Sequence, residues 1–236
     1  MKGALFDHLL AARRAKRPIA LVTRLDTGEQ ALVSADTVTG GLGLDGAALE
    51  AARHALADDR SQMIVAAGAD TPGLFVQSFA PAPRLILVGA VHISQALAPM
   101  ASLTGYGVTV IDPRRAFATD ARFPDVTLDD DWPDDALARL EPDARTAVVT
   151  LTHDPKLDDP ALAAAVASPA FYVGALGSRK THAARMERLR GLGLSDPQLA
   201  RIHGPVGLDI GALTPAEIAI SILAEITAAR RRGRTS

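Results

Sequence analysis

The sequence has no cysteine in its 236 residues. Within these residues that excludes disulfides, thiolate zinc sites, iron–sulfur clusters and any cysteine nucleophile or persulfide carrier. An excess of charge of either sign is also missing: 25 Lys and Arg stand against 27 Asp and Glu, a formal net charge of -2. Sequence-independent attraction to nucleic acid or to an anionic membrane is therefore not expected. No apolar run approaches the roughly 18 residues that span a bilayer. The opening stretch MKGALFDHLLAARRAKRP scatters its charges instead of ordering them ahead of an apolar core and a cleavage site, so a cytoplasmic location is expected. None of the six histidines pairs with another at helical metal-ligand spacing beside a carboxylate, and no protein-built metal site is expected. What remains is ordinary globular composition, 48% hydrophobic and 22% charged, in a length that suits one large domain or two small ones.

Residues 1–80 read as a small α+β unit. A helix over about residues 3 to 16 places Leu5, Leu9 and Ala12 at helical spacing and stops before Pro18. Strands Ile19 to Leu25 and Gln30 to Ser34 flank Asp26-Thr27-Gly28-Glu29, a hairpin signal. Gly40, Gly41 and Gly43 lead to a helix from Asp45 to Asp58, and strands Gln62 to Ala67 and Gly73 to Phe79 flank the turn signal Asp70-Thr71-Pro72-Gly73. Ala80-Pro81-Ala82-Pro83 disfavours both helix and ladder pairing and marks the boundary.

From residue 83 to 236 strands and helices alternate. Strands are expected at Arg84 to Val88, Gly107 to Ile111, Ala144 to Leu151 and Ala170 to Leu176, with helices at 92–104, 133–140 and 157–167. A last helix opens with the capping box at Thr214-Pro215-Ala216-Glu217 and runs to about Arg230, ahead of a short basic tail, Arg231-Arg232-Gly233-Arg234. The fold class is α/β: a C-terminal Rossmann-like parallel sheet with helices on both faces, plus the smaller N-terminal α+β domain.

Ligands of such sheets bind beyond the carboxyl ends of the strands, so the residues after each strand carry the chemistry. After the first strand, Gly89 fits the first glycine of a dinucleotide fingerprint, but Val91 and Ser94 hold the second and third positions. After the second, Asp112 lies 23 residues beyond Gly89, where an acidic side chain accepts from a ribose diol; Arg114 and Arg115 suit a phosphate or carboxylate. After the third, His153 and Asp154 are placed for proton transfer or ligand contact. After the fourth, Gly177, Ser178, Arg179 and Lys180 open a helix with a hydroxyl and two cations, an anion site. The Gly-rich stretch His203 to Gly211 reads as a loop folded back to the same rim.

The stretches GAVHISQALAPMASLTGYGVTVIDPR, LTHDPKLDDPAL, FYVGALGSRKTHAARMERLRGLGL and IHGPVGLDIGALTPAEIAISILAEI, in this order over residues 85 to 230, resemble the xanthine dehydrogenase accessory protein family, the XdhC/CoxI group. Residues 1–80 resemble a shortened version of its N-terminal domain. The resemblance implies a maturation chaperone, with no turnover of its own, that binds molybdenum cofactor (molybdopterin, in mononucleotide or dinucleotide form). Such a chaperone protects the cofactor around sulfuration and helps insert it into the apo-enzyme of a molybdenum hydroxylase. It implies cofactor contacts at Gly89, His92, Asp112, Arg114, His153, Asp154, Gly177, Ser178, Arg179 and Lys180, and a homodimer. Two departures stand out. Val91 replaces the second glycine of the family's Gly-x-Gly-His, and the segment Gly40 to Leu44 lacks the cysteine that many members carry, so sulfur would come from a partner such as a cysteine desulfurase. Two alternatives stay open: an NAD(P)-dependent oxidoreductase using Gly89, Asp112 and His153, and a scaffold bridging a cysteine desulfurase and the apo-enzyme.

Overall fold

The computed structural model describes residues 3–64 and 73–232. The turn expected at Asp70-Thr71-Pro72, the far end of the strand expected to reach Ala67, and residues 233–236 lie outside the described residues. The chain divides into two compact units, one ending at Pro81 and the other beginning at Ala82.

In the first unit α1 (Gly3–Arg14), β1 (Ile19–Arg24), β2 (Gln30–Val33), β3 (Val38–Gly40), α2 (Gly46–Ala57), β4 (Gln62–Ile64) and β5 (Leu74–Phe79) follow one another. The strands form an antiparallel sheet in the order β3-β2-β1-β5-β4. Side chains alternate across it with period two. Ile19, Leu21 and Leu32 meet Leu9 and Ala12 of α1 on one face. Ala20, Val22, Ala31 and Val33 meet Ala48, Ala52 and Ala55 of α2 on the other. Asp45 starts α2 by accepting from the Ala48 N–H at 2.8 Å. Strand β3 lies where a purely Gly-rich connection was expected. It is only three residues long and partly exposed, so no apolar run announces it.

The second unit runs β6 (Arg84–Val88), α3 (His92–Leu103), β7 (Gly107–Ile111), β8 (Thr127–Asp129), α4 (Pro133–Leu140), β9 (Thr146–Thr150), α5 (Pro155–Ala167), β10 (Tyr172–Ala175), α6 (Arg179–Gly191), α7 (Asp196–Leu199), β11 (Ile202–His203) and α8 (Pro215–Arg232). Its six strands are parallel, in the order β11-β10-β9-β6-β7-β8. The chain starts in the middle at β6, winds outward to β8, returns to β9 and winds outward again to β11. The order therefore reverses between β6 and β9, the place where such sheets open a crevice. Both faces are covered, which is why β9 is buried at all five positions. Leu85, Leu87, Val110 and Val149 pack under α3 and α8 through Leu97, Ala101, Ile222 and Ile226. Ile86, Val88, Val148 and Val173 pack under α4, α5 and α6 through Leu137, Leu162 and Leu189. The capping box opening α8 is formed: Glu217 accepts from the Thr214 N–H at 2.8 Å, and Thr214 Oγ1 from the Glu217 N–H at 3.3 Å. No helix among the described residues is long and apolar enough to cross a membrane.

Candidate functional site

The turn after β6 is set by a close approach. Gly89 has φ +113, and a Cβ there would stand 2.6 Å from Thr152 Cγ2, at the carboxyl end of β9. Only glycine lets the two strand ends at the reversal point meet. Ser94 is fully buried and donates its hydroxyl to the Gly89 carbonyl, which tightens the turn. Val91 is the N-cap of α3 and contributes no capping side chain, and His92, the first helical residue, is exposed.

Asp112 corrects its expected role. The residue is fully buried, and one carboxylate oxygen accepts from the Ala90 N–H at 2.8 Å and Arg114 Nη2 at 2.8 Å. The other accepts from the Arg114 N–H at 3.0 Å and Arg114 Nε at 2.8 Å. These four bonds use the lone-pair directions of the carboxylate, leaving none for a ribose diol. Burial by itself pushes the carboxyl up, but the hydrogen bonds from Arg114 and Ala90 and the Arg114 charge outweigh it and hold Asp112 below the ordinary carboxylate range. Asp112 thus ties the turn after β6 to the turn after β7. Arg114 is likewise engaged by its fork, and its guanidinium lies 4.9 Å from the Phe117 ring centre. Of the two residues on which the dinucleotide reading rests, Gly89 and Asp112, the second is engaged by Ala90 and Arg114, and Val91 holds the second fingerprint position.

Beyond β9, His153 is exposed and takes a left-handed backbone, φ 63. Its N–H donates to Asp158 Oδ2 at 3.1 Å, and Thr152 Oγ1 donates to Asp158 Oδ1 at 2.7 Å. Asp154 is the N-cap of α5, its carboxylate accepting from the Lys156 N–H at 3.0 Å. Asp154→Ala is expected to lower stability by about 1 kcal/mol and Asp154→Ser to restore most of it, as for other helix caps; urea unfolding of both variants checks this.

Beyond β10, Gly177 has φ +149 and hands the chain to α6, whose first residues Arg179 and Lys180 are exposed. The Ser178 hydroxyl caps that helix by accepting from the Thr181 N–H at 3.1 Å and pairs with Thr181 Oγ1 at 2.9 Å. Two turns further, Arg185 is buried, with 1% of its surface exposed. Its Nη2 donates to the Leu176 carbonyl at 2.8 Å and lies 3.5 Å from Asp158 Oδ2. Burial pushes Asp158 up and Arg185 down, because each charge is only partly answered by the other.

The stretch from His203 to Gly211 begins as an edge strand, where only a loop was expected, and then folds back. The Val206 N–H donates to the Ala175 carbonyl at 3.1 Å, at the carboxyl end of β10. Glu225 of α8 accepts from Tyr172 Oη at 2.6 Å and the Gly207 N–H at 2.6 Å, and pairs with His203 Nδ1 at 3.0 Å.

The loops after β6, β7, β9 and β10 are thus linked to one another at one edge of the sheet: Gly89 to Thr152, Ala90 to Asp112, and Asp158 through Arg185 to Leu176. The proposed contacts divide. His92, His153, Ser178, Arg179 and Lys180 are exposed there, whereas Gly89, Asp112 and Asp154 shape the loops and Arg114 is held by Asp112. Sequence reasoning missed Asp158, Arg185 and Glu225. Arg185 had a signal, since it shares a helical stripe with buried Leu189 four residues on, where an apolar residue is the rule. Among the described residues no group of three His, Cys, Asp or Glu could hold a metal ion. The exposed side chains suit holding an anion.

A parallel sheet in this strand order, with its loops gathered at the carboxyl edge, defines a Rossmann-type ligand-binding domain. The family model of the XdhC Rossmann domain matches residues 85–226, and the chain belongs to that family. Over 163 residues it is 37% identical to a probable xanthine dehydrogenase component of Bacillus subtilis (strain 168), covering 69% of this chain and 47% of that protein. Over 156 residues it is 35% identical to the molybdenum cofactor insertion chaperone PaoD of Escherichia coli (strain K12), covering 66% and 43%. The chain spans less than half the length of these curated relatives. A crystal structure of a xanthine dehydrogenase from Bacillus halodurans shares the fold, with TM-score 0.75 and 24% identity, over 98% of this chain and 67% of that one.

Proposed function

We propose that this chain holds molybdenum cofactor as cargo and helps insert it into the apo-enzyme of a molybdenum hydroxylase. The observation that carries the reading is the turn from β10 into α6, where exposed Arg179 and Lys180 and buried Arg185 gather at a helix N-terminus. The name of the relative PaoD supports it, because that protein is a molybdenum cofactor insertion chaperone. The cofactor is a pterin bearing a terminal phosphate, or a pyrophosphate-linked nucleotide, and serves the redox chemistry of the enzyme that receives it. The residues fit such cargo: the cations at the turn suit its anionic end, and His92 and His153 stand exposed on neighbouring loops. These 236 residues contain no thiol, so sulfur on the cargo comes from a partner, a cysteine desulfurase, while this chain holds and shields.

Purification from cells that make the cofactor, followed by fluorescence assay of the oxidised pterin, tests the reading. The chain is expected to carry pterin, and Arg179→Ala with Lys180→Ala to weaken retention about tenfold, the loss of one charge-assisted contact's worth of binding. A chain free of pterin, together with normal hydroxylase activity in a strain lacking it, overturns the reading. A scaffold that only bridges desulfurase and apo-enzyme would tolerate the double substitution.

A further inference from the structure

Arg185 carries an imbalance that the fold does not explain. A guanidinium has five N–H donors in a fixed fork. Here Nη2 finds the Leu176 carbonyl, but Nε and Nη1 are buried with no hydrogen-bond partner among the described residues. Asp158 does not close the account. It already accepts from Thr152 Oγ1 at 2.7 Å and from the N–H groups of Thr152 at 3.4 Å and His153 at 3.1 Å, and its nearer approach to Arg185 stops at 3.5 Å. Leaving a buried cation so poorly answered is costly, and it is tolerated where a partner arrives from outside the chain.

The unpartnered side of the guanidinium lies beneath the turn that opens α6. A Cβ built on Gly177 would stand 3.7 Å from Arg185 Nη1. Above it, Ser178 caps only the Thr181 N–H, so the N–H groups of Arg179 and Lys180 have no intrahelical acceptor, and the helix dipole places partial positive charge at the same spot. The cap is a neutral hydroxyl. At the neighbouring α5 the cap is the carboxylate of Asp154, which repels an anion.

We propose that the β10–α6 turn is an oxoanion subsite for a phosphomonoester dianion, with Arg185 as its buried counter-charge and the N–H groups of Arg179 and Lys180 as its donors. The inference deepens the reading above, from which it takes only that the cargo ends in a phosphate. Ser178 keeps its capping role, Arg179 and Lys180 form the rim, and Asp158 holds Arg185 in place until the anion arrives.

The test is titration of the 15N-labelled full chain with inorganic phosphate at constant ionic strength, with pyrophosphate in a parallel series. The amide signals of residues 177–181 and the Arg185 Nε–H signal are expected to shift together and saturate with phosphate. Arg185→Gln combined with Asp158→Asn removes both buried charges at no change in net charge, and is expected to weaken phosphate binding at least tenfold. Failure of phosphate to saturate those signals, a response to pyrophosphate alone, or undiminished binding in the folded double variant overturns the subsite. The wild-type titration decides even if the variant does not fold. Phosphate binding by a chain that retains no pterin, with normal hydroxylase activity in a strain lacking it, keeps the subsite and overturns the cargo reading. Pterin retention that inorganic phosphate does not displace and the double variant does not lose overturns the subsite and leaves the cargo reading standing.

Discussion

Asp112→Ala is expected to lower the unfolding free energy by about 2–4 kcal/mol at neutral pH, the range for removing charge-assisted hydrogen bonds and stranding a buried donor. The donor is the Ala90 N–H, which sits in a residue 1% exposed and has the carboxylate at 2.8 Å. Arg114 contributes less to the loss. Its side chain is 41% exposed, so water takes over its freed N–H groups, and the larger penalty of breaking a fully buried ion pair does not apply. Asp112→Asn keeps the shape and one acceptor oxygen and should cost about half as much. The pH dependence has a definite sign. The folded carboxyl titrates below its unfolded value, so its stabilisation is fully present above the unfolded pKa, near 4, and disappears as pH falls through the folded pKa. Urea unfolding should therefore show wild type and Asp112→Asn separated at pH 7 and converging in acid. A difference below about 0.5 kcal/mol at pH 7, the size of an ordinary surface substitution, would show that the two turns do not depend on Asp112.

The same residue shows how far sequence reasoning reaches. Spacing placed Asp112 at the carboxyl end of the second strand of the parallel sheet, and the structure has it there. Spacing could not say that Arg114, two residues on, curls back to occupy it, because that depends on a turn tied to Ala90 in the separate turn after β6. Strands β6 and β7 were legible to the residue because they are aliphatic, β-branched runs largely buried between two helical layers. Strands β8 and β11, three and two residues long at the sheet edges, were not, since so short an edge carries no periodicity. The helix start at Ser178, with Arg179 and Lys180 exposed in its first turn, was readable from residue types alone. The burial of Arg185 beneath them left only the stripe it shares with Leu189 as a trace, because which arginine of a strongly polar helix becomes buried is settled by the sheet it packs on.

Glu225→Ala should have an effect of similar size, about 2–3 kcal/mol, for the same kind of reason. Glu225 is a half-buried carboxylate on the face of α8 turned to the sheet, with 17% of its side chain exposed. Removing it strands Tyr172 Oη, in a residue 1% exposed, and the Gly207 N–H, each of which donates to it at 2.6 Å. His203 remains stacked on Tyr172 with ring centres 4.6 Å apart, so the edge strand β11 keeps one attachment. Burial pushes the Glu225 carboxyl up, but hydrogen bonds from His203, Tyr172 and Gly207 hold it below the ordinary range, so its contribution too is present above the unfolded pKa and lost in acid. The distinctive consequence is local. The segment after β11 is tied to β10 by the Val206 N–H and to α8 by the Gly207 and Leu208 N–H groups, and only the Gly207 bond ends on a side chain. Amide exchange at Gly207 is therefore expected to accelerate in Glu225→Ala by more than the global loss of stability accounts for, while the amides of β9 follow global unfolding. If Gly207 instead tracks β9, the backbone bonds to Ala175 and Ser221 suffice to hold the segment against the rim. The carboxylate would then stabilise the unit without fixing the loop beside the turn from β10 into α6.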